Sequence, residues 1–111
     1  MANTFKSISK TGSATAADTW MTLYTAPAAT TSLVLQLGVS NISTATVSIN
    51  VEIVKSVGDD VFIVKSMALP AGTSFEFGQG QKYVLATGDA LRLKSDKANS
   101  IDLLTSVLEI T

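Results

Sequence analysis

The stretch Leu33-Val34-Leu35-Gln36-Leu37-Gly38-Val39-Ser40 decides the fold class, together with Thr46-Val47-Ser48-Ile49-Asn50-Val51-Glu52-Ile53 just beyond it. In the first run Leu33, Leu35, Leu37 and Val39 alternate with Val34, Gln36, Gly38 and Ser40. In the second, Val47, Ile49, Val51 and Ile53 alternate with Thr46, Ser48, Asn50 and Glu52. A period of two sends alternate side chains to opposite faces of a pleated strand. Both runs therefore read as strands with one apolar and one wet face. Their apolar sets, joined by Leu91 and Leu93, are the expected core.

The same reading extends along the chain. Thr4 to Ser9 is a short first strand or an arm, and Lys10 to Asp18 is a Ser/Thr/Ala/Gly-rich loop. Trp20 to Thr25 alternates until Pro27, which cannot donate to a ladder. Val57-Gly58-Asp59-Asp60 reads as a hairpin connection, and Leu69-Pro70-Ala71-Gly72 as a turn. Ser74 to Phe77, Tyr83 to Leu85, Ala90 to Lys94 and Ile101 to Ile110 complete a set of eight or nine strands without a helical stripe. The expected fold is an all-β antiparallel sandwich, jelly-roll-like or immunoglobulin-like. Residues 1–18 form an arm or first strand plus loop, and residues 19–111 a single sandwich domain.

Composition narrows the chemistry. The 111 residues include no histidine and no cysteine, are 46% hydrophobic and only 15% charged, and carry a net charge of −1. Without His or Cys no Ser–His or Cys–His nucleophile can be built, and the expectation is no enzyme, no metal and no cofactor. The lysines are scattered and Arg92 is the only arginine, so no basic stripe for nucleic acid is seen. No apolar run is long enough to cross a bilayer as a helix, and no secretory leader is recognised at the start. A protein made in a cytoplasm, and not leaving it by the ordinary secretory route, is expected.

Three features invite a site. Asp59-Asp60 is the only adjacent carboxylate pair, but it lacks calcium-loop spacing and reads as a solvated hairpin tip. Gly78-Gln79-Gly80 begins like a dinucleotide fingerprint, without the third glycine or a following helix. Trp20, Tyr24, Phe62, Phe75, Phe77 and Tyr83 are either core or a glycan platform, and a platform requires exposed, coplanar rings. A fourth feature is Val61-Phe62-Ile63-Val64, apolar on both faces, with Val61 and Ile63 on one and Phe62 and Val64 on the other. A two-layer sandwich covers only one of these faces, which makes the segment the expected self-assembly contact.

Several segments occur in a familiar order: Leu23-Tyr24-Thr25-Ala26-Pro27-Ala28, Val39-Ser40-Asn41, Leu69-Pro70-Ala71-Gly72, Gln81 to Leu91, and Ser106-Val107-Leu108-Glu109-Ile110-Thr111. As a set, over roughly Trp20 to Thr111, they resemble small virion structural proteins of tailed bacteriophages, particularly cyanophage-like viruses. The resemblance implies a non-enzymatic β-sandwich on the particle, as capsid decoration or as a neck, tail or fibre-attachment protein. It further implies copies of itself, threefold by preference, and other virion proteins such as the major capsid or neck and tail proteins as partners. A glycan-binding module is the alternative from another class.

Overall fold

The structure is a computed structural model that describes residues 3–11, 17–77 and 83–111, apart from the side chain of Phe77. Nine strands run in chain order: β1 (Asn3–Lys10), β2 (Met21–Thr25), β3 (Thr31–Asn41), β4 (Val47–Val54), β5 (Val61–Leu69), β6 (Ser74–Phe77), β7 (Tyr83–Leu85), β8 (Ala90–Ser95) and β9 (Ile101–Ile110). No helix occurs among the described residues. The strand boundaries follow the turn chemistry. Pro27 ends the β2 segment, Gly58 (φ 117°) lies in the β4–β5 connection, and Gly72 (φ 72°) closes the turn after Pro70.

All named pairings are antiparallel. One sheet has the order β1-β9-β3-β6, with β7 also pairing β3; the other has the order β2-β8-β4-β5. The pairings nest: β4 with β5, β3 with β6 and β7, β2 with β8, β1 with β9. This is a chain doubled back at the β4–β5 hairpin, with the double ribbon wrapped into two sheets. Taking β6 and β7 as two halves of one strand gives the eight-stranded jelly roll, which decides between the two sandwich types expected. β1 pairs β9 over its whole length and is a first strand, not a free arm.

Eight of the ten expected core residues are buried: Leu37, Val39, Val47, Ile49, Val51, Ile53, Leu91 and Leu93. Leu33 and Leu35 are not; both are only half-buried. The cause is a bulge. Against β9, Val34 pairs Val107 and Gln36 pairs Ser106, which leaves Leu35 as an extra residue. One extra residue reverses the phase of the alternation. Before the bulge Ser32 and Val34 face the core; after it Leu37, Val39 and Asn41 do. Leu33 therefore points outward, and β3 is not the single clean alternation its sequence suggests.

β5 departs in the same way. Its register to β4 shifts twice, between the partners of Ile49 and Val51 and between those of Val51 and Glu52. At the first shift Ser66 takes φ 52° and its N–H donates to Asn50 Oδ1 at 2.8 Å. The second places Ile63 and Val64 both against the core, while Phe62 pairs Glu52 on the outer side. The expected sharing of one face by Phe62 and Val64 does not hold.

Candidate assembly surfaces

Buried charge in this chain is tied up in structural networks. Asp89 follows the turn at Gly88 and is 1% exposed. Its carboxylate accepts from Lys55 Nζ at 2.6 Å, from the N–H groups of Ser56 and Ala86 at 2.9 Å each, and from Ser56 Oγ at 3.1 Å. Lys55 first, then these N–H groups, hold it well below the usual carboxylate range despite burial. The result fastens the β4–β5 hairpin to the β7–β8 turn. At the other end, the Tyr24 hydroxyl donates to Glu109 Oε2 at 2.5 Å and lies 2.8 Å from Ser32 Oγ. Lys6 Nζ lies 3.0 Å from Glu109 Oε1. The Tyr24 bond and Lys6 lower the Glu109 carboxyl, while burial, together with Glu109, pushes Tyr24 up to about 12.

The sequence candidates for small-ligand chemistry are dispersed. Asp60 Oδ1 accepts from the Lys55 N–H at 2.8 Å, so it caps its own hairpin. No group of three or more metal-ligating side chains occurs among the described residues. Gly78, Gln79 and Gly80, and the Phe77 side chain, lie outside the described residues. The aromatics do not form one platform. Tyr24 is buried, while Tyr83 and Phe75 are half-buried against the core. Trp20 and Phe62 lie 6.1 Å apart with their planes inclined by 41°. Arg92 and Lys94 stand over the Trp20 ring at 4.3 and 4.9 Å. Arg92 Nε and Nη2 both donate to Glu52 Oε1, the former at 2.7 Å. The outer surface of the four-stranded sheet is thus a cationic and aromatic layer laced by its own contacts.

The outer surface of the five-stranded sheet is different. Register puts Phe5 beside Leu108, Leu108 beside Leu33, and Leu33 beside Val84. The four side chains make one apolar row across β1, β9, β3 and β7. Phe5 is 74% exposed and Val84 58%, with Leu108 and Leu33 half-buried between them. The flanking rows hold Asn3, Ile110 and Thr31 on one side and Ser7, Ser106 and Gln36 on the other. Further along, Gly38 opens a notch of about 210 Å³ between Leu104, Glu76 and Asp102.

Of the expected contact residues, Val61 and Phe62 are exposed at the open edge of β5, and Ile63 and Val64 are turned to the core. The row on the five-stranded sheet was not anticipated. Its signal was present: Leu33-Val34-Leu35 and Leu103-Leu104, Val107-Leu108 are apolar on both faces, as Val61 to Val64 are. Comparison with protein-family models, with curated proteins and with solved structures gives no match for this chain.

Proposed function

We propose that this protein is a non-enzymatic structural component of a tailed-bacteriophage virion, working as capsid decoration in contact with copies of itself and with other virion proteins. The observation that carries the reading is apolar side chains left uncovered on the surface: the row from Phe5 to Val84, and Val61 and Phe62 at the β5 edge. A lone domain with such surfaces is prone to stick, and an assembly covers them. The sequence resemblance supplies the particle, and the jelly roll, a fold of viral capsid domains and lectins, is consistent with it by analogy. Threefold contact through the β5 edge, with synthesis in the host cytoplasm, belongs to the same proposal.

The test is quantitative mass spectrometry of purified particles from the virus that encodes the chain. Stoichiometry comparable with the major shell protein is the expected result. A small copy number moves the protein to the neck or tail. Its absence from washed particles overturns the reading.

A further inference from the structure

We propose that β1 is an exchangeable strand: copies of this chain join when the β1 of one takes the seat along β9 of another and sets its Lys6 against the partner's Glu109. Exchange shares with the function above only the premise of self-association, and it works through strand pairing instead of the uncovered apolar side chains.

Topology singles out β1. It stands at the edge of the five-stranded sheet and pairs only β9, from Asn3 opposite Ile110 to Lys10 opposite Leu103. It is the outermost layer of the nest, and one connection joins it to the other named strands. The other edge strands are held on both sides by strands of the same sandwich. β9 is also joined by one connection, but it lies between β1 and β3. Only β1 can swing out as a unit with every other pairing intact. Little of the core goes with it: Ile8 and Lys10 are half-buried, the rest of β1 is exposed, and none of the fully buried apolar residues belongs to it. The seat it leaves has a specific requirement. Glu109 is 6% exposed, accepts from the Tyr24 hydroxyl, and meets Lys6 Nζ at 3.0 Å. Withdrawing β1 removes the cation paired with this buried carboxylate and bares the N–H and C=O groups of β9, which template another strand. Charge and spacing select the occupant. The β1 of a second copy brings the same Lys6 within reach of Glu109 and the same Ile8 opposite Thr105.

Closed and exchanged forms hold the same strand contacts, so concentration decides between them. A strand on a short tether competes at an effective concentration of about millimolar. Dilute chains therefore close on themselves, as in this structure, and copies crowded to that level or held side by side in an assembly exchange. Reach is sufficient. Ala17 is bridged to Ser95, and the Asp18 N–H donates to the Ser95 carbonyl at 2.7 Å, which anchors the connection at that point. Fully extended, the chain from Lys10 to Ala17 spans about 24 Å, and the molecule is 25 Å across each of its short axes. A copy that donates its β1 opens its own seat, so exchange is complete only when it closes, as a reciprocal pair or as a ring.

The experiment uses the register. Ser7 and Ser106 are directly opposed on β1 and β9, and opposed Cα atoms of antiparallel strands lie about 4.5–5.5 Å apart, inside disulfide range. The chain has no cysteine, so single-cysteine variants report on one pair at a time. Ser7→Cys is mixed with heavy-isotope-labelled Ser106→Cys, oxidised, and read by intact mass, from micromolar up to about millimolar protein. An unchanged circular dichroism spectrum checks the fold of each variant. The expected result is a mixed dimer whose yield rises with concentration. Two comparisons separate exchange from collision of surfaces. Asn3→Cys belongs opposite Ile110 and is out of register with Ser106, so it should give far less mixed dimer with Ser106→Cys. Adding Lys6→Glu to Ser7→Cys places two carboxylates together in the exchanged seat and should cut the yield several-fold, whereas a surface collision at Ser7 does not involve Lys6. No mixed dimer at the highest concentration, an equal yield from Asn3→Cys, or a yield unmoved by Lys6→Glu overturns the exchange. The particle measurement decides the virion reading independently of all these outcomes.

Discussion

Tyr24 and Glu109 sit 85 residues apart in sequence, and inside the sandwich the Tyr24 hydroxyl donates to the Glu109 carboxylate at 2.5 Å. Ser32 gives its own hydrogen to the Tyr24 oxygen, since the phenol proton is already committed to the carboxylate. Burial first, and then the hydrogen bond donated to Glu109, disfavour the phenolate, which is why the Tyr24 pKa rises to about 12. The unfolded chain loses this proton near its ordinary value of about 10. A raised acid favours the folded state below the unfolded value and loses that contribution as pH climbs through the folded one. The melting temperature should therefore decline between about pH 10 and pH 12, and should decline less in Tyr24→Phe. The acid limb has the opposite sign. Asp89 and Glu109 are lowered, so their contribution is full above the unfolded carboxylate values of about 4 and is lost as pH falls below them. Calorimetry across pH should show a plateau at neutral pH with a fall on each side. A melting temperature indifferent to pH above 10 would remove Tyr24 from the role given to it.

At the scale of the strand, the bulge in β3 separates residues that the sequence treats alike. Leu35 and Leu37 belong to one alternating set, yet Leu37 is 2% exposed and Leu35 is the unpaired extra residue of the bulge. Truncating Leu37 leaves a cavity, and Leu37→Ala should cost about 2–5 kcal/mol in chemical denaturation. Leu35→Ala should cost about 1 kcal/mol, since much of that side chain never leaves water. Equal costs would mean the phase reversal is absent. This is also where legibility ends. The strands of β4, β6, β7, β8 and β9 could be read directly from period-two patterning and from Gly and Pro at the turns. Val47, Ile49, Val51 and Ile53 went to the core as read, because no shift interrupts their side of β4. The bulges in β3 and β5 could not be read, because a bulge is a relation between two strands and leaves no mark in one of them. The outer apolar row escaped for the same reason: it exists only once β1, β9, β3 and β7 are laid side by side. Val61 and Phe62 were legible as surface residues, whereas Ile63 and Val64 were displaced by a shift in β5 that period-two reading does not contain.

For the whole molecule, the nested order of pairing dictates an order of folding. Among the described residues, only β4 and β5 pair while adjacent in sequence, across the connection of residues 55–60. Each further layer encloses the one before it, from β3 with β6 and β7, through β2 with β8, to β1 with β9. The entropy cost of closing a loop rises with its length, so the inner hairpin forms cheaply and the outer pairs depend on it. A topology dominated by such non-local pairs folds slowly, on the millisecond-to-second scale. The two ends of this nest should therefore respond differently to mutation. Ile53→Val, in the inner hairpin, removes contacts already present in the transition state and should slow folding with little change in unfolding. Ile8→Ala, where β1 packs a half-buried side chain against the core beside Thr105, removes contacts made last. It should leave the folding rate nearly unchanged and speed unfolding. Stopped-flow chevrons on both variants make the comparison, provided each is destabilised by more than about 0.6 kcal/mol so that the ratio is meaningful. A folding rate that falls for Ile8→Ala and not for Ile53→Val would reverse the order. The terminal strands would then pair before the hairpin, and the jelly roll would assemble from its ends inward.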